Sequence, residues 1–109
     1  MSVYEKLTAA LQSKDPDAFV DLLHDDFEFV RHQSGTSMTK AEMAEMVGAM
    51  SGEDGWSIDN QRCVYENDDI LVEHSFMSFP DGTREAVLTA NTLKDGKILR
   101  MESGASLLK

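Results

Sequence analysis

The spacing of apolar positions changes period between Ser2 and His32. Val3, Leu7, Ala10 and Leu11 recur at helical spacing behind Ser2-Val3-Tyr4-Glu5, whose Ser-x-x-Glu pattern is that of a capping box. Asp15-Pro16 restarts a helix, with aspartate as its cap and proline in its first turn. Ala18, Phe19, Leu22 and Leu23 form the apolar stripe of that second helix. Asp25-Asp26 then stop the helical spacing, and residues 27–32 read as a strand. Residues 33–38 read as a polar loop around Gly35. Thr39-Lys40-Ala41-Glu42 is a second capping box, followed by Met43, Met46, Val47 and Met50 at helical spacing, and residues 51–55 end that helix.

The second half alternates with period two. It predicts strands over residues 56–67, 70–80, 83–93 and 97–107. Asn67-Asp68-Asp69, Asp81-Gly82 and Asp95-Gly96 are the turns between them, and Asp-Gly is a strong hairpin signal. The pattern predicts an α+β fold in the order ααβαββββ, with residues 1–109 forming a single domain.

Composition narrows the function. Twenty acidic residues against ten basic ones give a net charge of −10, which opposes binding to nucleic acid or to an anionic membrane surface. No apolar run has the length of a membrane span, and the first residues lack a basic stretch followed by an apolar one, so a cytoplasmic protein is expected. The one cysteine, Cys63, excludes an internal disulfide and a thiolate-rich metal site. His24-Asp25-Asp26 reads as a helix end rather than a metal site, because adjacent residues do not readily converge on one ion. No metal and no cofactor are expected. Neither a Gly-x-Ser-x-Gly elbow nor a phosphate-binding glycine loop occurs.

Three segments carry a resemblance: residues 17–27, which run from helix into strand; the helix beginning at Thr39; and Lys94-Asp95-Gly96-Lys97-Ile98-Leu99-Arg100, a closing hairpin. In order and spacing the chain resembles the NTF2-like superfamily, and within it the SnoaL-like branch. The resemblance implies a cystatin-like cone. Three N-terminal helices would pack on a curved, mostly antiparallel sheet, a cavity would open at one end, and homodimers would form through the outer sheet face. It does not fix an activity, since such scaffolds host both enzymes and non-catalytic carriers. Against ketosteroid isomerase, the catalytic acid of the first strand falls at Arg31, the tyrosine of the first helix near Leu7, and the second acid near Asn91 or Thr89. That proton-transfer machinery is therefore expected to be missing.

The same comparison assigns strand faces, because alternate side chains share a side. Phe27, Phe29 and Arg31 are expected inside, with His74, Phe76 and Ser78, then Thr89 and Asn91, then Met101 and Ser103. Leu7, Phe19, Met43, Met46 and Met50 would close the pocket from the helices. An apolar pocket with a few polar groups suits a small organic ligand. Arg31 offers a fork of donors for a carboxylate or carbonyl; its plainer reading is a rim arginine paired with Glu28 or Asp26. His74 is the one histidine expected inside, where it could exchange a proton; its plainer reading is a satisfied core histidine. Two functions follow. One is a dimeric, non-catalytic pocket protein. The alternative is a lyase or isomerase for a small carboxylate- or carbonyl-bearing substrate, using Arg31 and His74 with a hydrogen bond from Asn91.

Overall fold

The structure is a computed structural model that describes residues 2–52 and 55–108. Helix α1 spans Val3–Gln12 and α2 spans Pro16–Val20; strand β1 spans Leu23–Arg31 and β2 spans Thr36–Thr39. Helix α3 spans Lys40–Ser51, and four strands follow: β3 over Ser57–Glu66, β4 over Ile70–Ser78, β5 over Arg84–Lys94 and β6 over Lys97–Leu108. Both capping boxes form. Ser2 Oγ accepts from Glu5 N, and the Thr39 side chain accepts from Glu42 N, each with the reciprocal glutamate contact. Asp15 caps α2 by accepting from Asp17 N and Ala18 N.

Two expectations in this region are corrected. Leu23 and His24 belong to β1, not to the end of α2, because Leu22 carbonyl takes the Ile98 amide and so ties the chain to β6 at once. His24 therefore does not cap a helix; its Nδ1 accepts from Asp26 N at 3.0 Å, within a stretch where the β1–β6 register shifts. The expected loop over residues 33–38 gives way at Thr36 to β2, which pairs antiparallel with β1 from Arg31↔Thr36 to Glu28↔Thr39. Gly35 closes that hairpin with a φ of 69°. Part of the expected break over residues 51–55, at residues 53–54, lies outside the described residues.

The strands form one six-stranded sheet in the order β2-β1-β6-β5-β4-β3, with β1 and β6 parallel and every other pair antiparallel. The helices lie against one face of it. Leu7, Leu23, Leu71 and Ile98 are fully enclosed there, with Phe19, Phe27, Met43 and Met101 around them.

The β4–β5 hairpin sets which side chains share that face. An Asp81-Gly82 turn of two residues would pair Pro80 with Thr83. Instead Phe79 pairs with Thr83, its N–H donating to Thr83 O at 2.9 Å, and Gly82 N–H donates to Phe79 O at 3.0 Å. The loop is the three residues Pro80-Asp81-Gly82: proline at the second turn position, and Gly82 in the left-handed region at φ 87°. One added loop residue moves every partner by one, and a shift of one exchanges the faces of a strand. Thr89 thus pairs with Glu73, not His74.

Candidate functional site

Between the helices and the inner sheet face lies a cavity of about 250 Å³. Its helical wall is Leu7, Phe19, Met43, Met46, Val47 and Met50. Its sheet wall is Phe29 and Arg31 from β1; Ser75 and Met77 from β4; Val87 and Thr89 from β5; and Met101, Ser103 and Ala105 from β6. Trp56 closes one side, with its Nε1–H donating to Met50 O at 2.6 Å. Lys14, in the left-handed region at φ 53°, lays its ammonium 4.4 Å from the Trp56 ring centroid and donates to Trp56 O.

Into this mostly apolar space β4 directs a carboxyl group, Glu73, which is 7% exposed. Asn91, fully buried on β5, donates through Nδ2 to Glu73 Oε2 and to Leu71 O, each at 3.1 Å. Burial raises the Glu73 pKa from the ordinary carboxylate value to about 7, and the Asn91 and Gln61 amides hold it from going higher. The Gln61 amide sits close enough to favour the charged form, yet neither its Nε2 nor its Oε1 makes a well-formed hydrogen bond, and both are buried. Asn91 Oδ1 is likewise buried without a partner.

The other polar end of the cavity is an ion pair. Arg31 Nη2 stands 3.5 Å from Glu85 Oε1 and donates to Gln33 Oε1 at 3.4 Å. Glu85 is 8% exposed, and the Arg31 side chain is about half exposed. Arg31 is thus a paired rim arginine, with Glu85 as its acid rather than Glu28 or Asp26. Glu28 pairs instead with Arg100. Glu85 and Glu73 lie four residues apart along neighbouring strands, since Glu85 pairs with Met77; the two ends are therefore about 13 Å apart.

Phe19, Phe29, Arg31, Met43, Met46, Thr89, Met101 and Ser103 all line the cavity, while Asn91 lies beneath it as the support of Glu73. His74, Phe76 and Ser78 do not reach it. The three-residue hairpin turns them to the outer face, where the His74 ring meets the edge of Phe76 at 5.2 Å and the Arg84 guanidinium lies over Phe76. His74 Nδ1 is buried there without a hydrogen bond. Arg31 and His74 therefore stand on opposite sides of the sheet, and the expected Arg31–His74–Asn91 cluster does not form. The group that the sequence reading did not single out is a different acid, Glu73, on the inner face of β4; the positions compared with the acids of ketosteroid isomerase hold Arg31, Thr89 and Asn91. Pro80 was the available signal, since a proline before Asp-Gly favours the longer turn.

Among the described residues no three His, Cys, Asp or Glu side chains are grouped to hold a metal ion. Among the described residues no helix is long and apolar enough to cross a membrane.

Known structures share this architecture. A candidate ketosteroid isomerase from Kribbella flavida superposes with a TM-score of 0.81 at 15% identity, covering 98% of this chain and 77% of that one. An NTF2-like protein of unknown function from Burkholderia xenovorans gives 0.76 at 20% identity, covering 95% and 82%. A protein with a ketosteroid isomerase-like fold from Catenulispora acidiphila, solved in complex with trimethylamine, gives 0.72 at 16% identity, covering 94% and 83%. No curated protein matches the chain. At these identities the likeness is one of fold. The family model of the SnoaL-like domain matches residues 4–101, and the chain belongs to that family.

Proposed function

We propose that this protein binds a small organic molecule in the cavity between its helices and its sheet, which we read as a curved wall. The observation that carries the reading is the cavity itself: about 250 Å³, walled by Phe19, Phe29, methionines and Trp56, with two buried carboxyls on its lining, Glu85 paired with Arg31 and Glu73 without a basic partner among the described residues. A space left unfilled in so small a core costs contacts that a ligand would restore. The methionine side chains adapt to varied apolar shapes. The trimethylamine complex of the Catenulispora protein supports small-molecule occupancy of this fold. The test is a thermal-shift screen of small aromatic and aliphatic compounds, repeated with Met46→Trp, which fills the cavity. Binding by the wild type that is lost in the filled variant is the expected result. Equal shifts in both proteins would contradict the site.

A second reading is favoured by one observation. A carboxyl with a pKa of about 7 holds and releases a proton near neutrality, which suits general acid–base catalysis. In that reading Glu73, not His74, moves the proton. Solvent-deuterium exchange into small ketones, followed by NMR and abolished by Glu73→Gln, is its expected signature. No exchange above the buffer rate in any ketone would leave binding alone.

The protein is also proposed to pair with a second copy through its outer sheet face. There Leu88 stands 52% exposed in a row with His74 and Gly104, flanked by Phe76, Val72 and Ala90. Sedimentation equilibrium at micromolar concentration should return twice the 12.1 kDa chain mass; a stable monomer would contradict the pairing.

A further inference from the structure

We infer that the ligand presents a protonated amine to Glu73 and lays an apolar body against the methionine and aromatic wall. The inference rests on the reading of the cavity as a ligand site and adds the ligand's charge.

Three observations carry it. The first is where the cations are spent. Arg31 faces Glu85 and Gln33, and Lys14 is held on Trp56, so both basic groups at the cavity have partners. Glu73 has no basic partner among the described residues, and its one well-formed side-chain hydrogen bond comes from a neutral amide. A buried carboxylate without a cation is costly, and a ligand cation relieves that cost where an anion would add to it.

The second is the donor–acceptor balance. Both Asn91 Nδ2 hydrogens are used, on Glu73 and on Leu71 O. On the Glu73 side of the sheet, the buried side-chain atoms left without partners among the described residues are two acceptors, Asn91 Oδ1 and Gln61 Oε1, against one donor atom, Gln61 Nε2. With the Glu73 oxygens, acceptors dominate this end, and an ammonium brings up to three donors. The third is the field of the whole chain. A net charge of −10 draws cations toward the molecule and repels small carboxylates. A carboxylate anchored by Arg31 is therefore the poorer match.

The groups facing Glu73 leave it as the titrating partner. Tyr4 on α1 and Cys63 on β3 both have raised pKa values. Burial is the larger cause in each, followed for Tyr4 by the Glu73 charge, and for Cys63 by the charges of Glu66 and then Glu73. Neither ionises between about pH 5 and pH 8. Asn91 and Thr89 on β5, Gln61 on β3 and Ser103 on β6 carry no charge.

The experiment is calorimetric titration with benzylamine, benzyl alcohol and benzoate, three probes of one shape and different charge. Near pH 8 benzylamine should bind at least about tenfold more tightly than benzyl alcohol, and benzoate least of all. The preference should shrink toward unity near pH 5, where Glu73 holds its proton. Glu73→Gln should erase the preference while still binding benzyl alcohol. Should that variant fail to fold, the loss of preference at low pH in the wild type decides. Benzyl alcohol or benzoate binding as tightly as benzylamine, a preference that survives in Glu73→Gln, or one unchanged near pH 5 would overturn the inference and leave the cavity as a ligand site. No binding by any probe would overturn both.

Discussion

Glu73 is 7% exposed, no cation among the described residues opposes its charge, and its one well-formed side-chain hydrogen bond comes from the Asn91 amide beside a mostly apolar cavity. Its folded pKa of about 7 lies above the unfolded carboxylate value, so the unfolded chain releases this proton first as pH rises. Stability is then fully present below the unfolded value and is lost as pH climbs toward 7. The loss amounts to on the order of 3 kcal/mol at pH 8. Glu73→Gln keeps the shape and an oxygen for Asn91 but cannot ionise. It should stabilise the protein by about 2–3 kcal/mol near pH 8 and by little near pH 5, as read by urea denaturation at both. Equal effects at the two pH values would contradict the origin of the shift. Leu7, fully enclosed beneath the cavity, is the opposite case: Leu7→Ala should cost about 2–5 kcal/mol at any pH. Leu7 is legible in sequence because Val3, Leu7 and Ala10 recur at helical spacing. Glu73 is not, because a lone glutamate in a strand looks like any solvated acid until its face is known.

The face is decided by the connecting turns. The Asp95-Gly96 turn has two residues, both with positive φ, and Lys94 pairs with Lys97 as the Asp-Gly signal predicts. The other Asp-Gly pair follows a proline and closes a three-residue loop, with Asp81 accepting from Thr83 N and Oγ1. The four meander strands and α3 were therefore readable to within a residue or two. The inward side of β4 was not, since it depends on one loop residue. The bulges of β3, with Asn60 at φ 51°, blur parity on the next strand in the same way. The short β2 escaped because three polar residues and a single apolar one, Met38, are too few to show an alternation. Gly82→Ala places a Cβ at φ 87° and should destabilise the hairpin by about 1 kcal/mol. Thr39→Ala removes the α3 cap and should cost about 1 kcal/mol. Chemical denaturation measures both, and a neutral Gly82→Ala would contradict the turn geometry.

For the whole molecule the arrangement separates two surfaces of one sheet. The inner face carries the cavity and Glu73; the outer face carries His74, Phe76 and the exposed Leu88. A change on one face should leave the other unaffected. Leu88→Glu should convert the proposed dimer to a monomer in sedimentation without altering ligand binding, while Glu73→Gln should alter binding and leave the sedimentation unchanged. Loss of both properties in either variant would contradict that separation. Everything on the inner side depends on Glu73 facing an apolar space. Carbon-13 NMR of the glutamate carboxyl groups, titrated from acid to alkaline pH with Glu73→Gln to assign the signal, measures this most directly. One carboxyl resonance, absent in the variant, should titrate near pH 7 and move to lower pH when benzylamine is added. A Glu73 signal that titrates with the ordinary glutamates would contradict the account.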